Sequence, residues 1–185
     1  MTGKESLDFP VYPRYTTLVF DEKELTMPNW CYNTLSVSHS DPAQIARFVK
    51  AANDGRLFEE FVPLNEEGEW DYNTAVNKWG TKWDIHESYF DSDSNSAYGS
   101  FDTAWSPPIE FYDTIVAQGF DVHALFHEPG MAFAGTYHTE IGDTFIDYDF
   151  SNPNWRDNLD EELVEWLEPE YESWLEWQEE MDEEE

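Results

Sequence analysis

An α+β fold is predicted by three features of this sequence. Strand-type alternation and helix-type periodicity follow one another in the order strand, helix, strand, strand, helix, strand. Turn and capping residues mark nearly every junction. The 185 residues are 40% hydrophobic and 17% aromatic, enough for one sizeable core.

The first strand lies in "MPNWCYNTLSVSHS", where Asn33, Leu35 and Val37 alternate with Thr34, Ser36 and Ser38. "SDPAQ" then opens a helix: Asp41 can accept from its first free amides, Pro42 suits the first helical position, and Ile45, Phe48, Val49 and Ala52 share one face before Gly55. Residues 57–80 are expected to form a long connection with one short helix, capped by Asp71, striped by Ala75, Val76 and Trp79, and ended by Gly80. "KWDIHESYF" and "AYGSFDTAW" flank the turn-rich "DSDSNS" as a hairpin. A second helix is expected from "SPPIEFYDTIVAQGF", with Ser106 as cap, prolines in its first turn, Phe111, Ile115 and Val116 inward, and Gly119 at its exit. "DVHALFHE" is the next strand, and two more near 131–138 and 143–150 follow the turns "EPG" and "EIGD".

This order is the split βαβ pattern of a ferredoxin-like sandwich, extended by extra strands. Ahead of it, residues 1–26 form an N-terminal arm in which Pro10 and Pro13 restrict "FPVYPRYTTLVF" to an edge strand or extended lead-in. Residues 27–150 are the ferredoxin-like domain, and residues 151–185 an acidic amphipathic helical tail. In the tail Leu159, Leu163, Trp166 and Leu167 have helical spacing, Pro169 is expected to begin a second segment, and Tyr171, Trp174, Leu175 and Met181 continue the stripe.

Four ordered motifs, "MPNWCYNTL", "NKWGTKWD", "FDTAWSPP" and "EPGMAFAG", resemble the phage and plasmid proteins that carry a YubB-type ferredoxin-like domain. The resemblance spans roughly residues 27–142. The family's opening Met-Pro-Asn-Trp corresponds to Met27, Pro28, Asn29 and Trp30, and its Trp-Gly-Thr-Lys-Trp-Asp signature to Trp79 through Asp84. It implies a ferredoxin-like fold and a mobile-element origin, with no agreed activity. Relatives usually start at the Met-Pro-Asn-Trp, so residues 1–26 are an added arm or mark an upstream start.

Charge is the strongest functional signal. Nine Lys and Arg face forty-one Asp and Glu, a net charge of -32. From Asp157 to Glu185 there are fifteen acids and no Lys or Arg. Such a surface repels anionic lipid and the phosphate backbone, so direct nucleic-acid and membrane binding are not expected. Read as a whole, the charge of -32 equals that on about 54 Å of duplex, roughly sixteen base pairs. Glu161, Glu162, Glu165, Glu168, Glu172, Glu176 and Glu179 would carry it along the tail helix, with Trp166, Trp174 and Trp177 as partner-binding anchors. The plainer readings are a solvated helix face or adaptation to a salty interior.

Catalytic and metal motifs are weak. Cys31 is a lone cysteine beside Trp30 and Tyr32 in an acidic chain, which suits a buried structural thiol better than a nucleophile. It cannot close an intrachain disulfide, and with no signal-type or membrane-spanning apolar run a cytoplasmic location is expected, the host's if the protein is viral. His123 and His127 share a strand face, as do His138 and Glu140, but residues four apart on a strand are about 13 Å apart, too far for one zinc. "DSDSN" lacks the glycine and terminal glutamate of a calcium loop. Trp79, Trp83, Phe101 and Trp105 invite comparison with a base-stacking sheet, which the charge opposes. In "NKWGTKWD" the tryptophans are expected to pin the long connection to the sheet, with Lys78 and Lys82 as counter-charges for Asp84 or Glu69.

The expected protein is therefore no enzyme and has no catalytic residues, cofactor or metal. It is an acidic phage-type binding protein, a nucleic-acid mimic that occupies the basic groove of a host or defence protein. The alternatives are an assembly protein of a mobile element whose acidity serves solubility, or an enzyme of unknown substrate.

Overall fold

Alternation along the first strand decides how the layers form. In the structure, a computed structural model that describes residues 28–65 and 69–183, β1 (Trp30–Ser38) buries Cys31, Asn33, Leu35 and Val37 on one face. The N-terminal arm, residues 1–26, and Met27 lie outside the described residues. Then follow α1 (Pro42–Asn53), α2 (Leu57–Phe61), α3 (Tyr72–Trp79), β2 (His86–Ser92), β3 (Ser96–Ala104), α4 (Ile109–Ala117), β4 (Asp121–Glu128), β5 (Phe133–His138), β6 (Gly142–Asp147) and α5 (Glu161–Glu183). The protein is α+β: the six strands form one sheet in the order β2-β3-β1-β4-β5-β6, every neighbouring pair antiparallel.

One face of the sheet is covered by α1 to α4. Leu35, Val37, Phe90, Ala97, Phe101, Val122 and Ala124 from the strands meet Ile45, Phe48, Leu57, Phe58, Trp79, Phe111 and Ile115 from the helices. Local signals set most of the helix ends as expected. Asp41 accepts from the Ala43 amide at 2.9 Å to begin α1, and Asp71 accepts from the Thr74 amide at 2.8 Å to begin α3. Gly80 ends α3 at φ +85°, and a β-carbon there would lie 2.9 Å from the Ile109 nitrogen. Only glycine permits both that turn and that approach.

Three expectations about this layer need correction. Ser106 is not the cap of the second helix. It and Pro107 each precede a proline and are pushed toward extended backbone, so α4 starts only at Ile109, with no side-chain cap. The Ser106 hydroxyl instead donates to the Gly80 carbonyl at 2.6 Å, tying the α3 exit to the α4 entry. The connection from residue 57 holds a second helix, α2, which has no cap of its own. Asp84 supplies it from the far end of the connection, its two oxygens accepting from the Phe58 and Glu59 amides at 2.9 Å each. Nor do the lysines of "NKWGTKWD" neutralise Asp84 or Glu69. Lys78 donates to the Pro63 and Leu64 carbonyls at 2.7 and 2.8 Å, and Lys82 lies over the Trp83 ring at 4.2 Å. Trp79 does pin the connection, its indole N–H donating to the Val62 carbonyl at 2.7 Å.

The C-terminal segment is one helix, not the expected pair broken at Pro169. A proline inside a helix removes one backbone bond and typically costs about 3 kcal/mol. Here both halves are held: Leu163 and Leu167 before Pro169 are buried, and Tyr171 after it packs against the same cluster. That cluster lies on the second face of the sheet, where Leu125 and Ala134 meet α5 together with Tyr148 and Trp155 from the preceding loop. None of the described helices is long and apolar enough to cross a membrane.

Since α5 covers the sheet, shortening its inner stripe should unfold the protein. Leu163→Ala is expected to cost about 2–5 kcal/mol in urea denaturation. Leu175→Ala, at an exposed position of the same helix, should stay within about 0.5 kcal/mol of wild type.

Candidate functional site

Docking its apolar stripe on the sheet turns the opposite side of α5 to solvent. Glu161, Glu165, Glu172, Glu176 and Glu179 are all exposed there, and the rise per residue spreads them over about 27 Å. One strand of duplex DNA places about eight phosphates over that length. The row thus carries fewer charges than even a single strand presents over that length.

Of the remaining predicted residues, all but Trp177 are engaged within the molecule. Glu162 reaches across to His123, with Oε2 3.2 Å from Nε2. Glu168 takes Arg156 in a fork, Nε donating to Oε2 at 3.0 Å and the second nitrogen to Oε1, which holds this carboxyl below its usual range. The Arg156 guanidinium also lies over Trp155 at 4.4 Å and Tyr171 at 4.8 Å. Trp166 is half-buried, edge-on to His127 with ring centroids 4.8 Å apart. Trp174 runs nearly parallel to Tyr171, whereas Trp177 is 52% exposed.

Beside the outer half of α5 runs a groove of about 510 Å³, walled by Tyr148, Phe150, Trp174 and Trp177 and carrying Asp149 and Glu170. Sequence spacing identified Trp174 and Trp177, but the rings of Tyr148 and Phe150 come from the loop after β6 and carry no motif.

The half of the second face that α5 leaves open holds a smaller groove of about 330 Å³, bordered by Thr34, Ser36, Tyr89, Tyr98, His123 and Glu162. Tyr89 and Tyr98 both donate to Asp91. The four aromatic residues that invited comparison with a base-stacking sheet do not form one: Trp79 and Phe101 are core residues on the other face, and Trp105 alone of the four is strongly exposed.

The metal-ligand pairs drawn from spacing are rearranged by strand pairing. His123 does not meet His127 but faces His138 across β4 and β5, the rings stacked 4.3 Å apart. His127 is turned under α5 and is 7% exposed. A different group forms where β2 bulges: one extra residue between His86 and Tyr89, with Glu87 at φ +44°, brings His86, Glu87 and Asp102 within 4.8 Å of one another. They offer one nitrogen and two oxygens to a cation, in a chain where neighbouring acids are common. Adjacent residues 86 and 87 should point to opposite faces of a strand, so only the bulge discloses this group. Cys31 is a buried free thiol that burial pushes up, as expected of a structural cysteine.

Comparison with protein families, with curated proteins and with solved structures found no match for this chain.

Burial pushes the His127 imidazole down from an ordinary value of 6.5 to about 4. The unfolded chain therefore takes up a proton below pH 6.5, and the folded protein not until about pH 4. The neutral ring's contribution is complete above 6.5 and lost progressively as pH falls through this window, by on the order of 3 kcal/mol. In urea unfolding at a series of pH values, the stability of wild type minus that of His127→Phe should shrink by that order between pH 7 and pH 4. A constant difference would show that His127 is not held neutral.

Proposed function

We propose that the protein is a non-enzymatic, acidic binding protein of a phage or similar mobile element. In this reading it presents α5 to the basic, nucleic-acid-binding groove of a host or defence protein, in the cytoplasm. The observation that carries it is the arrangement of α5: Leu163 and Leu167 of its inner stripe are docked on the sheet, so its outer glutamates form an exposed, single-sign row. A partner with a basic groove would meet that row quickly and in a salt-dependent manner. The same reading takes the fold as ferredoxin-like and the chain as a relative of the YubB-type proteins. It is supported by the partial order β2-β3-β1-β4, in which each of two βαβ crossovers spans a strand of the other.

The test is competition. Fluorescence anisotropy of labelled duplex bound to a panel of basic DNA-binding proteins should fall when this protein is added at low salt, and far less at high salt. The variant carrying Glu161→Lys, Glu165→Lys, Glu172→Lys, Glu176→Lys and Glu179→Lys should compete at least about tenfold less well. No displacement, or displacement equal for wild type and variant, would overturn the proposal.

A second reading, assembly with other copies, is favoured by the exposed Leu175, Trp177 and Met181 near the end of α5. Light scattering across salt concentrations would then show a defined oligomer that Trp177→Glu dissociates. A strict monomer counts against it.

A further inference from the structure

We infer that the groove between α5 and the loop after β6 receives the guanidinium of an arginine side chain from a partner protein. The inference rests on the reading of α5 as a surface for basic partners, and names the contact that would give such a surface specificity.

The molecule already holds one guanidinium in this manner. Arg156 lies over Trp155 and Tyr171 and is forked to Glu168. Phe150 joins that arrangement to the groove: its ring touches Trp155 and Tyr171 on the one hand and Trp174 on the other. The groove repeats the same components, aromatic rings with Glu170 and Asp149 among them, but no Lys or Arg among the described residues lines it. Ring faces attract a cation, and a planar guanidinium can stack on them while its N–H groups reach carboxylates. The Asp149 carboxylate is kept in its charged form by the Ser151 hydroxyl and amide, at 2.7 and 2.9 Å.

A second observation concerns Glu170, which is exposed on the groove and forms no ion pair among the described residues. A guanidinium brings five N–H donors, enough for Glu170 and Asp149 together, while Tyr148, 8% exposed, supplies ring surface to the wall. An apolar occupant would desolvate the carboxylates and give nothing in return. The rival cation is within the chain: Arg14, outside the described residues, precedes Asn29, whose side-chain Cγ would lie 3.0 Å from a β-carbon at Gly130, next to Pro129 on the groove wall.

The probe is the peptide acetyl-Gly-Arg-Gly-amide, with its citrulline counterpart as the uncharged control, titrated into the full chain. The indole N–H resonances of Trp174 and Trp177 are followed in 1 M NaCl, where the screening length is about 3 Å. The arginine peptide should bind at least about fivefold tighter than the citrulline one, and Glu170→Gln should remove most of that preference. Equal binding of the two peptides, or a preference that survives Glu170→Gln, overturns the inference. So do indole resonances that move on Arg14→Gln with no peptide present, since the arm would then be the occupant. Octalysine, titrated at low salt, reports the glutamate row separately. If it fails to bind while the arginine preference holds, the groove stands and the wider role of α5 falls.

Discussion

The burial of Leu125 and Ala134 beneath Leu163 and Leu167 is the contact on which the rest of the structure depends. β4 serves both layers, with Val122 and Ala124 turned to the first core and Leu125, between His123 and His127, to the second. Leu125 and Ala134 would face water on that side without a second layer over them. α5 is that layer, and its acidity is tolerable because the charges lie opposite the stripe that docks. Segregation of charge and apolar surface on one helix thus completes the fold and creates the exposed row of glutamates.

The loop between β6 and α5 is the hinge of this arrangement. Trp155, Phe150 and Tyr148 bring aromatic surface against Tyr171 and Trp174, and Arg156 links the loop to the helix through Glu168. Placing the only base of this segment between two rings and a carboxylate gives a partly exposed ion pair more definition than exposed pairs usually have. The pairing also divides the helix. Its first half is tied to sheet and loop, while beyond Trp174 apolar side chains such as Trp177 and Met181 reach solvent.

Much of the first layer was legible in the sequence because its determinants are local. Asp41 and Pro42 before a 3.6-residue stripe, Gly80 after one, and the turn between two alternating runs act within a few residues of themselves. What misled was long-range for Asp84 and Pro169 and local for Ser106. Asp84 reads as a charge seeking a lysine, yet the α2 amides claim its oxygens. Ser106 reads as a cap, yet two following prolines delay the helix. Pro169 reads as a break, yet packing on both sides carries the helix through it.

By itself the sequence determined the element order, the alternation that sorts core from surface, the concentration of acids in the last segment, and the helical spacing of its apolar residues. These are properties of neighbouring residues, written in periodicity and composition. Only the tertiary structure decided that α5 closes the second face of the sheet, that His123 meets His138, that a bulge gathers His86, Glu87 and Asp102, and that Tyr148 and Phe150 wall a groove with Trp174. Each of those depends on strand register or on packing between distant segments, and no spacing along the chain encodes which residues such pairing brings face to face.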